Sequence, residues 1–279
     1  MASILALISS ILWGTADYLG GNLSKRFKAI AVTGMSQAFG LILGLILVLV
    51  SGSYLAPNLS WNGYFLPALG AGIAGFFGLV SFYSGLSTGR MGVVSPISTL
   101  SAVIPLTVAF ISGERPTGIQ IFGMALAIVG AFCASGPDIV NGLPIKPLLF
   151  GLGAALGFGI ALTLMAQGSK TSSLLTMTSM RVASVTVCIL IALRFKTIGG
   201  FGFSDLRILI IIGATDFVAN LLLGVATTKG LISVAMVFGS LFPIVTVLLA
   251  FKFLHERLHR VQYLGVFLAV SGVSLISVG

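Results

Sequence analysis

Charged side chains are scarce in this 279-residue sequence and make up only 8% of it, whereas hydrophobic residues make up 57%. Soluble globular domains carry about 25% charged residues. The mean hydropathy of +1.15 agrees with this bias. A soluble core of this chain length cannot enclose so much apolar surface. The composition therefore predicts a membrane protein that is solvated mostly by lipid.

Cysteine is also scarce, and Cys133 and Cys188 both fall in apolar segments. Such cysteines behave as small hydrophobic side chains and indicate no disulfide framework. The first residues contain no basic stretch of the kind that opens a signal peptide, so the first apolar segment is expected to remain as a helix. No Walker-type phosphate loop occurs, which favours transport driven by an ion gradient or by exchange.

The apolar residues form ten segments that are long enough to span a bilayer, for which about 20 residues are needed. The breaks between the segments are short and hold most of the charges. We therefore predict an all-α membrane protein with ten transmembrane helices. The segments cover residues 3–21, 29–50, 64–88, 91–112, 117–135, 147–168, 174–193, 206–227, 231–251 and 261–278.

The two halves of the chain share a sequence pattern in which a Glu-Arg pair is followed by two glycines at fixed offsets. The pattern comprises Glu114-Arg115 with Gly123 and Gly130, and Glu256-Arg257 with Gly265 and Gly272. The predicted organisation is a five-helix repeat (1–135), a linker (136–146) and a second five-helix repeat (147–279). Because five is odd, the second repeat would enter the membrane from the opposite side. An inverted repeat of this kind predicts a central site between the halves and alternating access to it.

The basic residues are distributed unevenly among the loops. Eleven Lys and Arg residues follow odd-numbered segments, and three follow even-numbered segments. The positive-inside rule then places the odd-numbered loops in the cytoplasm and both termini outside. The uncharged loop 51–63 is accordingly expected on the external face. The same distribution argues against a nucleic-acid partner, in spite of the net charge of +9.

Three motifs, in register with the five-plus-five duplication, resemble the ten-helix EamA-type branch of the drug/metabolite transporter superfamily. They are Trp13-Gly14-Thr15, Gly113-Glu114-Arg115-Pro116 and Glu256-Arg257. The resemblance implies export or exchange of amino acids, related metabolites or drugs. It also implies cytoplasmic termini, which is the reverse of the charge bias. In the second half Phe158-Gly159 replaces the Trp-Gly pair.

The intramembrane charges are the main candidates for a site. Asp216 lies near the middle of the eighth segment, and Asn220 follows it by one helical turn. A carboxylate at that depth costs about 2.5–3.5 kcal/mol on insertion scales, so it should face a wet cavity or a partner. Proton exchange or binding of a substrate ammonium is one interpretation, and an ion pair with Arg181 is the other. Arg181 could instead extend towards the membrane surface.

The first segment and the interrupted helices supply the remaining candidates. Asp17 follows Trp13 by one turn, and an interfacial position near the helix end is its alternative interpretation. Pro96, Pro105 and Pro243 are predicted to interrupt two equivalent segments, which is typical of a transporter site. Polar and apolar side chains near them would suit an amphipathic substrate. The further candidates are Ser84, Ser95, Ser98, Thr99, Phe238 and Ser240.

A zinc hydrolase is a less favoured alternative, suggested by the H-E-x-x-H spacing of residues 255–259. The repeat partner of this motif keeps Glu114-Arg115 and lacks both histidines, so we expect no enzyme activity, no catalytic or metal-binding residue and no cofactor. An antiporter of phosphorylated metabolites or nucleotide sugars is the other alternative. The expected partners are a small-molecule substrate and the lipid bilayer of a bacterial cell membrane, and a homodimer stays open.

Overall fold

A computed structural model describes residues 1–88, 91–134, 145–196, 199–254 and 259–279. Helices, turns and irregular loops make up these ranges, and no strand occurs in them. The helices are α1 (Ala2–Leu23), α2 (Ala29–Ser51), α3 (Phe65–Ser87), α4 (Met91–Thr99), α5 (Val103–Ile111), α6 (Gly118–Ala134), α7 (Ile145–Phe195), α8 (Phe203–Lys229), α9 (Ile232–Gly239), α10 (Phe242–Leu254) and α11 (Arg260–Val278). The predicted all-α class is confirmed. The predicted linker falls largely on residues 135–144, which lie outside the described ranges.

Six helical stretches of the described chain are long and apolar enough to cross a membrane. They are Ala2–Leu23, Ala29–Ser51, Phe65–Ser87, Val94–Ile111, Ile145–Phe195 and Phe203–Lys229. Three shorter apolar helices accompany them, at Gly118–Ala134, Ile232–Thr246 and Arg260–Ile276. Large apolar side chains such as Leu49, Ile111 and Phe122 are exposed on the outer surface. Helices of this kind suit a bilayer because they satisfy their backbone hydrogen bonds internally.

Three irregular points divide the helices. The 51-residue helix α7 has an extended residue at Ser172 (φ −162°, ψ 114°), which separates 145–171 from 173–195. A 3-10 turn at Leu100–Ala102 separates α4 from α5, and Ser240 and Leu241 separate α9 from α10. These divisions lie where the sequence predicts a boundary between segments or an interrupted segment.

The prolines mark the interruptions less directly than the sequence suggested. Pro105 and Pro243 lie in the first turns of α5 and α10, where a residue without an N–H is tolerated. Each of these prolines therefore follows a break. Pro96, in contrast, lies inside α4, so the predicted interruption at Pro96 is wrong. Pro96 has no N–H, so it removes one backbone hydrogen bond from α4 without ending the helix.

Helices α6 and α11 pack closely along a seam of glycines. A Cβ atom on Gly123 would lie 2.9 Å from the carbonyl oxygen of Gly272, and one on Gly130 would lie 2.8 Å from that of Gly265. Residue numbers rise along α6 as they fall along α11, so the two helices are antiparallel. Small residues allow this approach, which supplies van der Waals contact where lipid provides no hydrophobic driving force.

The Gly113-Glu114 turn follows α5 in the chain and contacts the start of α9. Gly113 has a positive φ of 101°, which suits glycine and turns the chain after the helix. The Glu114 carboxylate accepts hydrogen bonds from the backbone N–H groups of Ile232 (2.6 Å) and Ser233 (3.0 Å). An anion is favourable at a helix N-terminus, so this motif residue caps α9. Its sequence counterpart Glu256 lies outside the described residues.

Candidate functional site

A central cavity of about 70 Å³ lies among α1, α2, α3, both parts of α7, α8, α10 and the 3-10 turn. One part of its wall is polar or charged, another is aromatic, and the rest is small or aliphatic. The polar side chains are Asp17, Gln37, Ser101, Arg181, Asp216 and Asn220, and the aromatic ones are Trp13, Phe76, Phe158 and Phe242. A lining that combines apolar and aromatic side chains with a few polar groups is typical of a small-molecule site.

Asp216 accepts more hydrogen bonds than any other side chain of the cavity. Its Oδ1 accepts hydrogen bonds from Trp13 Nε1 (3.1 Å) and Asn220 Nδ2 (3.1 Å). Its Oδ2 accepts from Gln37 Nε2 (3.0 Å) and Arg181 Nη2 (2.8 Å). Four helical segments are tied together at this carboxylate. The ion pair that the sequence offered as one interpretation is therefore present, and it compensates the cost of the intramembrane charge.

Arg181 is buried, and it does not extend to the membrane surface. Its side chain is 5% exposed and forms the salt bridge with Asp216. Gly40 of α2 leaves room for it, because a Cβ atom there would lie 3.2 Å from Arg181 Nε. The guanidinium also lies 5.9 Å from the centre of the Phe217 ring. The packing of α2 and α8 around this side chain thus keeps it in the interior.

Asp17 differs from Asp216 in its partners. The residue is 6% exposed and lines the cavity, so it does not occupy an interfacial position. No hydrogen bond from a described residue reaches its carboxylate, and it lines the same cavity as Asp216. Gly20 lies one helical turn after Asp17 and contacts Tyr83 of α3. Helix α3 therefore covers this end of α1.

The aromatic wall brings together the Trp-Gly pair of the first half and the Phe-Gly pair of the second. Trp13 and Phe158 pack on the Phe242 ring with centroid distances of 6.1 Å and 6.4 Å. The two adjacent glycines approach the broken helices. A Cβ atom on Gly14 would lie 2.6 Å from Phe242 O, and one on Gly159 would lie 2.9 Å from Ser101 O. In each pair the aromatic residue lines the cavity. The glycine has no side chain, so a backbone carbonyl of a broken helix can approach it closely.

The other predicted site residues lie away from the cavity wall. Ser98 and Thr99 donate to the carbonyl oxygens of Ser95 and Pro96, at 2.7 Å and 2.6 Å. Ser240 donates to its own helix in the same way, at 2.8 Å from Val237 O. Their hydroxyl groups are thus satisfied locally. Ser95 and Phe238 are buried, and Ser84 is half-buried on α3.

Sequence reasoning missed several cavity residues. Gln37 is an amide in the middle of an apolar segment, a signal of the same kind as Asp216, and it was available in the sequence. Ser101 lies at the break between α4 and α5, close to the predicted serines. Nothing in the sequence distinguishes Phe76 and Phe242 from other membrane phenylalanines.

The H-E-x-x-H match falls on residues that the structure describes only in part. Positions 255–258 lie outside the described ranges, and His259 precedes α11. Among the described residues, no group of three His, Cys, Asp or Glu side chains is arranged to hold a metal ion.

Comparisons with known proteins show what this chain is similar to in sequence and in fold. The sequence model of the EamA-like transporter family matches residues 1–136 and 145–278. An uncharacterized protein of Methanocaldococcus jannaschii is 27% identical over 131 residues, which cover 47% of this chain and 96% of the relative. A protein of known crystal structure superposes on this chain with a TM-score of 0.78 at 15% sequence identity. The superposition covers 99% of this chain and 96% of the other protein. At that identity the likeness concerns the fold alone.

Proposed function

The chain belongs to the EamA-like transporter family, and from this premise we propose that it is a secondary transporter of small polar or amphipathic metabolites, such as amino acids or drugs. It works by alternating access in a bacterial cell membrane. The observation that carries the proposal is the central cavity, where an aromatic wall adjoins the Arg181–Asp216 ion pair. Intramembrane charges of this kind mark substrate and ion pathways.

The directions of neighbouring helices support ten alternating spans. Helix α1 is antiparallel to α8, because Ser9 bonds to Ala219 O and Trp13 bonds to Asp216. Helix α3 is antiparallel to 145–171, and α2 is antiparallel to 173–195. All three relations fit a chain that crosses the bilayer once in each predicted segment.

The glycine seam supports the inverted relation between the halves. Gly123 and Gly130 correspond in sequence to Gly265 and Gly272, and the contacts are Gly123 with Gly272 and Gly130 with Gly265. Exchanging the two halves converts one contact into the other, as a two-fold axis in the membrane plane would require. The archaeal relative adds support, because about half of this chain covers nearly all of it.

The broken helices supply the elements that alternating access requires. Ser101 in the first half and Phe242 in the second both lie at a break and line the cavity. Discontinuous helices at a central site are typical of carriers built from inverted repeats. We infer that α5 and α10 move about these breaks to open the cavity towards one side at a time.

An antiporter of phosphorylated metabolites is less well supported. That substrate class needs several cations in the cavity to bind its phosphate groups. Arg181 is the one cation among the described residues of the cavity wall, and Asp216 already neutralises it. An ion gradient or exchange drives transport in the proposal, and substrate binding takes place beside this neutral pair.

Filling the cavity is expected to abolish transport while leaving the fold intact. Gly75 lines the cavity, and a Cβ atom there would meet only Ala161 Cβ, at 3.4 Å, an ordinary contact. In Gly75→Phe the ring would occupy the substrate volume. We expect uptake into proteoliposomes to fall at least about tenfold, since a blocked site removes binding and turnover together.

Ile73→Phe is the matched control for that experiment, because Ile73 is exposed on the same helix. It adds a ring to the outer surface and should transport like the wild type. Normal transport by Gly75→Phe, with both variants folded, would contradict the assignment of the cavity.

Orientation can be tested by cysteine labelling, because the basic residues predict that loop 51–63 faces outward. In a Cys133→Ala/Cys188→Ala background, Ser53→Cys is expected to react with an impermeant thiol reagent on intact cells. Lys25→Cys should be protected until the cells are opened. Both positions are exposed, so accessibility alone does not separate them. The reverse labelling pattern would place the termini in the cytoplasm.

A further inference from the structure

The charges of the cavity do not balance. Asp17, Asp216 and Arg181 are the ionisable acidic and basic side chains among its described lining residues. Arg181 neutralises Asp216, and the amide and indole donors around Asp216 are uncharged. The ionised cavity therefore carries a net charge of −1, which resides on Asp17. A buried charge without a partner is unfavourable, so Asp17 either holds a proton or pairs with a cation.

We propose that the substrate is an amine that carries a single positive charge on an aromatic or apolar body, and that Asp17 binds its ammonium group. The proposal rests on the transport function and names the chemical class that the cavity takes. It assigns different tasks to the two intramembrane carboxylates. Asp216 holds the helices together, and Asp17 receives the substrate.

A second polar group in the cavity lacks a partner. Ser101 is 1% exposed, and its hydroxyl has no hydrogen-bond partner in the described structure. It lies at the break between α4 and α5 and lines the same cavity as Asp17. An ammonium group has several donors and no acceptor, so a carboxylate and a hydroxyl oxygen are suitable partners for it.

The aromatic wall suits the rest of such a substrate. Trp13, Phe158 and Phe242 form one continuous surface, and Phe76 extends the lining. Aromatic faces attract a nearby cation and also bury an apolar ring. The wall therefore contributes affinity for both parts of an aryl amine. An anionic substrate would meet the uncompensated charge of Asp17 and be repelled.

Three monosubstituted benzenes of similar size test this charge preference. Benzylamine is cationic at neutral pH, benzyl alcohol is neutral, and benzoate is anionic. Trp13 lines the cavity, so its fluorescence reports binding once Trp61, the other tryptophan, is replaced in Trp61→Phe. We expect purified protein to bind benzylamine at least about tenfold more tightly than benzyl alcohol, as for a charge-assisted hydrogen bond. Benzoate should bind more weakly than either.

Asp17→Asn is expected to abolish the preference for benzylamine and leave the affinity for benzyl alcohol unchanged. The variant should fold, because it keeps the side-chain shape and removes a buried carboxylate that no described residue pairs with. Asp205→Asn is the matched control, since Asp205 pairs with Arg26 and does not line the cavity. It should bind all three compounds as the parent protein does.

Two results would overturn the proposal. Equal binding of amine and alcohol by the parent protein would mean that Asp17 is protonated and that the site takes neutral ligands. A preference for benzylamine that persists in Asp17→Asn would place the cation elsewhere. Either result leaves the transporter proposal standing, because the Gly75→Phe experiment decides that question independently.

Discussion

Replacing Asp216 with asparagine is expected to lower the free energy of unfolding by about 3–5 kcal/mol, because it leaves Arg181 buried without its counter-ion. The guanidinium is 5% exposed, and Asp216 is its one salt-bridge partner in the described chain. Asparagine keeps the shape of the side chain, so the loss comes from the charge. Thermal unfolding of purified protein in detergent measures the effect.

A second substitution separates the ion pair from other roles of Asp216. Adding Arg181→Gln to Asp216→Asn removes the orphaned charge, so we expect the double variant to regain much of the lost stability. Arg181→Gln alone should also be destabilising, since it leaves Asp17 and Asp216 facing the cavity with no cation. If Asp216→Asn is as stable as the wild type, the pair does not support the fold.

Replacing Gly265 with alanine is expected to lower the free energy of unfolding by about 1–3 kcal/mol or more, because the added carbon meets backbone atoms of the facing helix. A Cβ atom there would contact the backbone nitrogen of Ala134 and would lie 2.6 Å from the carbonyl carbon of Cys133. Backbone atoms cannot rotate aside as a flexible side chain can. Helices α6 and α11 would therefore have to separate along their seam.

Gly118→Ala is the matched control for the seam, since Gly118 begins α6 and a Cβ atom added there would meet nothing within 4 Å. Alanine is also the better helix former, so this variant should be as stable as the wild type or slightly more stable. The thermal unfolding temperatures of the two variants provide the comparison. Equal temperatures would show that the seam tolerates a wider spacing.

The position of the helices follows largely from composition. Lipid solvates apolar side chains and cannot hydrogen-bond to the backbone, so long apolar segments form helices. The predicted segments at 3–21 and 29–50 became α1 (Ala2–Leu23) and α2 (Ala29–Ser51) in this way. The break at Ser172 likewise falls between two predicted segments.

The polar candidates show where sequence reasoning stopped. Asp216 and Asn220 were identified because a carboxylate in an apolar segment must have a compensating environment. Ser98, Thr99 and Ser240 carried no such information, because a hydroxyl can bond to a carbonyl one turn back in its own helix. The sequence therefore did not decide whether these hydroxyls line a cavity.

The amino-acid sequence by itself determined that this protein consists of long apolar helices and that one of them contains a carboxylate far from its ends. Only the tertiary structure decided that Arg181 pairs with Asp216 and that Asp17 lines the same cavity without a hydrogen bond or ion pair among the described residues. The reason is geometric. Apolar length fixes where a helix lies along the chain, whereas its rotation about its own axis and the choice of its neighbours depend on contacts between segments that are distant in sequence.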